Sequence, residues 1–179
     1  MSIQNAGKAV AVWIAMAGVG CASMPEPKTP TEQASGLERS RCASFRDDST
    51  IAEVLSGRAV ERVEPLYAGT QTKSSNPRLQ GAVLSVRPIR GATAEWLDRS
   101  LECHGVERML GRSSTPANAV DPFVLPGSLV QINVHSAGDG FRVELVGATM
   151  ADAREILSRA DSFLAARGGE ALATDQSGR

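Results

Sequence analysis

Cysteine and histidine, the side chains that most readily ligate metal or relay a proton at neutral pH, are few: Cys21, Cys42, Cys103, His104 and His135 are the only ones in the 179-residue chain. Cys103-His104 invites a haem or metal reading. Covalent haem attachment uses C-x-x-C-H, and Ser100 stands where the first cysteine belongs. A metal site needs three or four converging ligands. Neighbouring residues on a helix point about 100° apart, so Cys103 and His104 do not form a site between them. His135 falls on the polar side of an alternating stretch, where a solvated or cross-strand-paired imidazole is the ordinary role. Its neighbour Ser136 lacks the G-x-S-x-G turn that presents a nucleophile. Asp47-Asp48 precede a helical stretch, where the helix dipole favours acids. Gly138-Asp139-Gly140 leads into a strand rather than a helix, so it is a turn and not a phosphate loop. No catalytic, cofactor or metal residue is assigned, and the chain is not expected to be an enzyme. The alternative is a metal or redox accessory protein of the cell envelope drawing on Cys103, His104 and His135.

Composition narrows the partners. Lys plus Arg is 19 and Asp plus Glu is 20, a net charge of −1. A nucleic-acid-binding chain usually shows a basic excess, so nucleic acid is not an expected partner. Aromatic residues make up 4% of the chain, too few for base-stacking platforms. The hydrophobic share of 42% and the charged share of 22% fit an ordinary globular domain.

The amino terminus departs from that average. Residues 1–20 carry one charged side chain, Lys8, followed by the apolar run Ala9 to Gly20. The run is shorter than the roughly 18 residues of a spanning helix, and it ends in Ala17-Gly18-Val19-Gly20-Cys21. This order resembles the signal of bacterial lipoproteins, whose lipobox ends at the acylated cysteine. Gly20 and Val19 match the small and small-or-branched positions, while Gly18 stands where the family usually has Leu. The resemblance implies cleavage before Cys21, acylation of its thiol, and attachment of the mature chain to a membrane. Ala22, rather than Asp, after the cysteine implies the outer membrane, facing the periplasm, as the destination. Plain secretion, giving a soluble periplasmic or exported protein, is the other reading of the same signal.

With Cys21 acylated or cleaved away, Cys42 and Cys103 remain. An even pair in an oxidising compartment suggests a disulfide; two buried free thiols are the alternative. A bridge closing a loop of about 60 residues would stabilise the fold by roughly 4 kcal/mol.

The elements that must position these residues follow from periodicity. Residues 21–36, with Pro25, Pro27 and Pro30, are expected to form a lipid-anchored flexible tether. Residues 37–168 are expected to form one domain, and 169–179 a disordered tail. Leu37 to Phe45 is a polar helical candidate carrying Cys42. Thr50 and Glu53 have capping-box spacing, and Gly57 follows as a stop. Val60 to Tyr67 reads as extended, with Pro65 marking an edge strand. Gly69 to Gln80 reads as a loop and Ala82 to Ile89 as a strand. A helix follows Thr93, with a break or bend expected at Gly105. Val130, Ile132 and Val134 alternate with polar residues, as do Phe141, Val143 and Leu145 after a turn at Asp139-Gly140. Thr149-x-x-Asp152 caps a last helix, which Gly168-Gly169 is expected to stop. Gly-Ala-Thr occurs at 91–93 and 147–149, each time between a strand and a helix. The fold expected is α+β: a two-layer sandwich in which an antiparallel sheet of about four strands carries helices on one face. The other face would then expose Ser85, Arg87, Gln131, Asn133, His135, Arg142 and Glu144. The functional expectation is a membrane-anchored envelope lipoprotein, held by acylated Cys21, that acts as a binding or structural module with an envelope protein as a possible partner.

Overall fold

A computed structural model describes residues 28–44, 49–68, 77–112 and 120–175. The expected signal, Cys21, the first part of the tether, Asp47 and Asp48, most of the loop after β1 and the last four residues lie outside that range. The described elements are α1 (Pro30–Leu37), a π-helical turn (Glu38–Cys42), α2 (Ser49–Leu55), β1 (Val60–Ala68), β2 (Arg78–Val86), α3 (Ala94–Met109), β3 (Gln131–Ala137), β4 (Gly140–Val146) and α4 (Met150–Asp175). No described helix is long and apolar enough to cross a membrane.

The four strands form one antiparallel sheet in the order β1-β2-β4-β3. The chain thus runs twice through strand, strand, helix, and the second strands of the two passes pair at the centre of the sheet. The repeated Gly-Ala-Thr stands at the matching junction of each pass. Thr93 caps α3 by accepting from the Trp96 N–H at 3.1 Å. Thr149 and Asp152 cap α4 reciprocally, at 3.0 and 3.1 Å.

The helices cross over. α3, which follows β1 and β2, packs on β3, while α4, which follows β3 and β4, packs on β2 and β1. Leu84, Val86, Phe141, Val143, Leu145 and Ile132 point from the strands into the same layer, where they meet Leu97 and Leu101 of α3 and Ile156, Ala160 and Phe163 of α4. Phe123, from the connection after α3, stacks edge-on against Phe163 with ring centroids 6.0 Å apart.

Several boundaries differ from the sequence reading. Residues 30–36, read as tether, are helical: Pro30 sits in the first turn, where its missing N–H is harmless, and Thr29 with Glu32 completes a capping box. β2 begins at Arg78, inside the stretch read as loop. α3 runs unbroken through Gly105. A Cβ there would meet the Phe123 carbonyl oxygen at 3.2 Å, so glycine serves close approach of the connection rather than a bend. The hairpin turns on Gly138 and Asp139, with Gly138 at φ 62°, while Gly140 already pairs with Ala137. α4 continues past Gly168-Gly169 to Asp175, so the tail read as disordered is helical over 169–175. Pro65 does lie in an edge strand.

At the centre of the sheet Gly81 pairs with Leu66 on one side and Val146 on the other. A Cβ at Gly81 would fall 1.9 Å from the Leu145 carbonyl oxygen, which is backbone and cannot yield. Gly81→Ala is therefore expected to destabilise the fold by about 2–3 kcal/mol. Urea unfolding measures this; an unchanged midpoint would contradict the β2–β4 register.

Candidate functional site

Among the described residues no element covers the face of the sheet opposite the helix layer, and the register orders that face in rows. One row crosses all four strands as Arg62, Ser85, Arg142 and His135. The next is Glu64, Val83, Glu144 and Asn133, and the third is Leu66, Gly81, Val146 and Gln131. A cationic row thus lies beside an anionic row, and beyond it is an apolar row. Each arginine pairs with the glutamate two positions along its own strand: Arg62 with Glu64 at 3.3 Å, and Arg142 with Glu144 at 2.9 Å. Val83 sits among these four side chains. It is 3% exposed although it is not part of the helix-side core. Tyr67, 44% exposed, is the large hydrophobic side chain left open among the described residues, next to the apolar row.

The face holds Ser85, Gln131, Asn133, His135, Arg142 and Glu144, all expected there. Sequence reasoning missed Arg62, Glu64, Leu66 and Val146. Their signal is the alternation of Arg62, Glu64 and Leu66 with Val63 and Pro65, weakened by register shifts at both ends of β1. Arg87 lies just beyond β2 and pairs with Glu53 of α2 at 3.6 Å.

The remaining chemical residues are committed elsewhere. Cys42 and Cys103 are joined by a disulfide that ties the π-helical turn to α3, with Cα atoms 5.5 Å apart. Beside it Arg41 meets Asp98 at 3.3 Å and Glu102 at 2.9 Å, and Arg99 donates to the Arg41 carbonyl at 2.7 Å. The contact between Arg41 and Glu102 is an ion pair without hydrogen-bond geometry, so the buried Oε2 of Glu102 accepts no hydrogen bond. Burial holds the Glu102 carboxyl above the ordinary value of 4.5, with Asp98 adding to the shift and Arg41 opposing it. Asp98 also accepts the Val134 backbone N–H at 3.1 Å, occupying the outer edge of β3.

No protein-family model, no curated protein and no solved structure matches this chain. What its site can do is set by its own geometry.

His104 is buried in α3, where Nε2 lies 2.8 Å from Oδ2 of Asp121; Oδ1 of Asp121 accepts the Phe123 N–H at 2.9 Å. The pair fastens the connection carrying Phe123 to α3. Nothing in the sequence singled out Asp121, because it lies 17 residues away in an irregular segment. Among the described residues no three His, Cys, Asp or Glu side chains group as a metal site. Cys103 is in the disulfide, His104 is under the helix layer, and His135 is exposed on the far face, so these three do not come together.

Asp121→Ala orphans both the His104 imidazole and the Phe123 N–H, and is expected to lose about 1–3 kcal/mol; chemical denaturation of the variant measures it. Glu102 predicts a pH effect. Its raised pKa means that the folded state holds the proton more tightly than the unfolded state. Its contribution to stability therefore declines as pH rises from 4.5 through the higher folded value. In Glu102→Gln that decline disappears, which unfolding midpoints across the acid range would reveal; parallel curves for the two proteins would contradict it.

Proposed function

We propose that this chain is a lipid-anchored binding module of the bacterial cell envelope that works through the bare face of its sheet and catalyses no reaction. The observation that carries the binding role is the one-sided sheet. A single helix layer buries one face, and the other presents ordered rows of charge and an apolar corner to solvent. An antiparallel sheet tolerates water on one face, and here that face carries paired charge rows and a part-exposed tyrosine. The resemblance of residues 9–21 to a lipoprotein signal supports the address. The Cys42–Cys103 bridge agrees with it, since disulfides persist in oxidising compartments.

In this reading acyl chains on Cys21 hold the protein at the membrane. Each buried methylene contributes about 0.8 kcal/mol, so more than one chain is needed for lasting attachment. The short stretch between Cys21 and α1 then sets how far the domain stands off the bilayer. The partner is a component of the envelope that meets the sheet face.

Two measurements test this. Intact mass of the membrane-extracted protein is expected to match a chain starting at Cys21, enlarged by acyl groups and short of the two hydrogens lost to one bridge. A soluble cytoplasmic product with residues 1–20 retained would overturn the address. A photo-cross-linker at position 135 on the face is expected to capture an envelope component that one at position 154 on α4 does not; equal capture at both would overturn the role of the face.

A further inference from the structure

We propose that the cationic row is a binding site for a small phosphomonoester, seated between Arg62 and Arg142 over Ser85. This rests on the reading of the bare face as the working surface and names what that face takes.

The register puts Ser85 directly between Arg62 and Arg142, with His135 on the far side of Arg142. Strands lie about 4.8 Å apart, so Arg62 and Arg142 each stand one strand from Ser85. Both arginines and Ser85 line an open hollow of about 580 Å³ at the end of the sheet, and Arg87 enters it from the end of β2. Donors from β1, β2 and β4 therefore border the hollow, while Arg87 beside them pairs with Glu53. Arg142 spends Nε on Glu144, and Arg62 spends Nη2 on Glu64. A guanidinium has five N–H groups, so most of this capacity is left over. The Ser85 hydroxyl and the His135 imidazole make no hydrogen bond or ion pair within the described chain.

The donor set selects among anions. A carboxylate brings one charge and two oxygens to the two arginines and Ser85. A phosphomonoester carries about −1.5 to −2 charges at neutral pH and three terminal oxygens. It can take an N–H from each arginine and the O–H of Ser85 at once, without displacing either glutamate. A polyanion is disfavoured by the neighbouring Glu64 and Glu144 row and by Glu61 and Asp139 at the rim of the hollow. The source proposed is a free solute, and the test below separates it from a lipid headgroup. α1, through which the tether enters, packs near Gln131 and Val146, whereas the hollow lies by Ala137 and Gly140 at the other end of the same hairpin. That separation is the length of β4, about 20 Å.

The test is titration of the folded mature protein with glycerol 3-phosphate, followed by amide chemical shifts, with acetate as the competing anion. Saturable shifts centred on residues 85 and 142, absent with acetate, are expected. Arg62→Gln and Arg142→Gln are each expected to weaken binding about tenfold or more, and Ser85→Ala by a smaller factor, while Arg154→Gln on α4 leaves it unchanged. All four positions are at least partly solvent-facing, and circular dichroism confirms that each variant folds. Equal response to acetate, shifts centred elsewhere, or arginine variants that bind like the parent would overturn the proposal. So would binding to phosphatidic acid vesicles with no response to glycerol 3-phosphate. Cross-linking at position 135 that persists without phosphate binding would sink this inference and leave the binding face standing.

Discussion

Neither half of this chain can bury its own sheet. The helix that follows β1 and β2 lies on β3, and the helix that follows β3 and β4 lies on β2 and β1. Leu84 and Val143, neighbours across the central β2–β4 pair, are fully buried by helices arriving from both halves. A strand-strand-helix unit alone would leave its apolar strand face in water, where each large aliphatic side chain forgoes about 1.5–3 kcal/mol of burial. The two units thus depend on each other, and the antiparallel β2–β4 ladder sets how they meet. Gly81 and Gly140 lie in this central pair because backbone occupies the space of a side chain: the Leu145 oxygen in one case, the Val86 oxygen in the other. With both helices on one side, no described element lies on the second face.

The amino-terminal segment is fastened by different chemistry. α1 buries one side chain, Ala34, too little to hold an eight-residue helix by burial. It is held instead where it ends, by the Cys42–Cys103 bridge, the Arg41 contacts with Asp98 and Glu102, and the ion pair of Glu38 with Arg112. Asp98 serves two structures at once, since one oxygen meets Arg41 and the other takes the Val134 N–H. The fastening of the segment and the closure of the β3 edge are therefore coupled through one carboxylate. If the chain is anchored at Cys21, any pull from the membrane reaches the domain at this junction, where a covalent bond backs the ion pairs.

The α+β class and the one-sided sheet were legible because β2, β3, β4 and the start of α4 carry strong local signals. Alternation along Ile132–Val134 and Phe141–Leu145 fixes two faces, and the Thr149–Asp152 pair fixes a helix start. What stayed hidden depends on tertiary contact. α1 was masked by prolines that suit a tether and a first helical turn equally well. Gly105 in mid-helix and Gly168-Gly169 read as breaks by intrinsic propensity, a weak prior that tertiary context overrides. In the candidate site, Ser85, His135 and Arg142 could be assigned to one face by alternation alone, but not to one row. The row exists through a register that joins strands far apart in sequence, and Arg62 reaches it past a shift in β1. Asp121 was illegible for the same reason: its partner lies across an irregular connection.

The sheet has two edges and one open face, and the edges are closed by different means. At β3, Asp98 occupies the Val134 N–H that a partner strand would need. At β1, Pro65 removes a donor, charged Glu61 and Arg62 stand at the start, and register shifts at both ends break the regular ladder. Such features are how sheets resist adding strands. Both edges thus carry features that disfavour strand addition. On the open face the charges are compensated along each strand, so it stays soluble without a large field of one sign. The rows therefore set positive and negative side chains at fixed, alternating places across the strands.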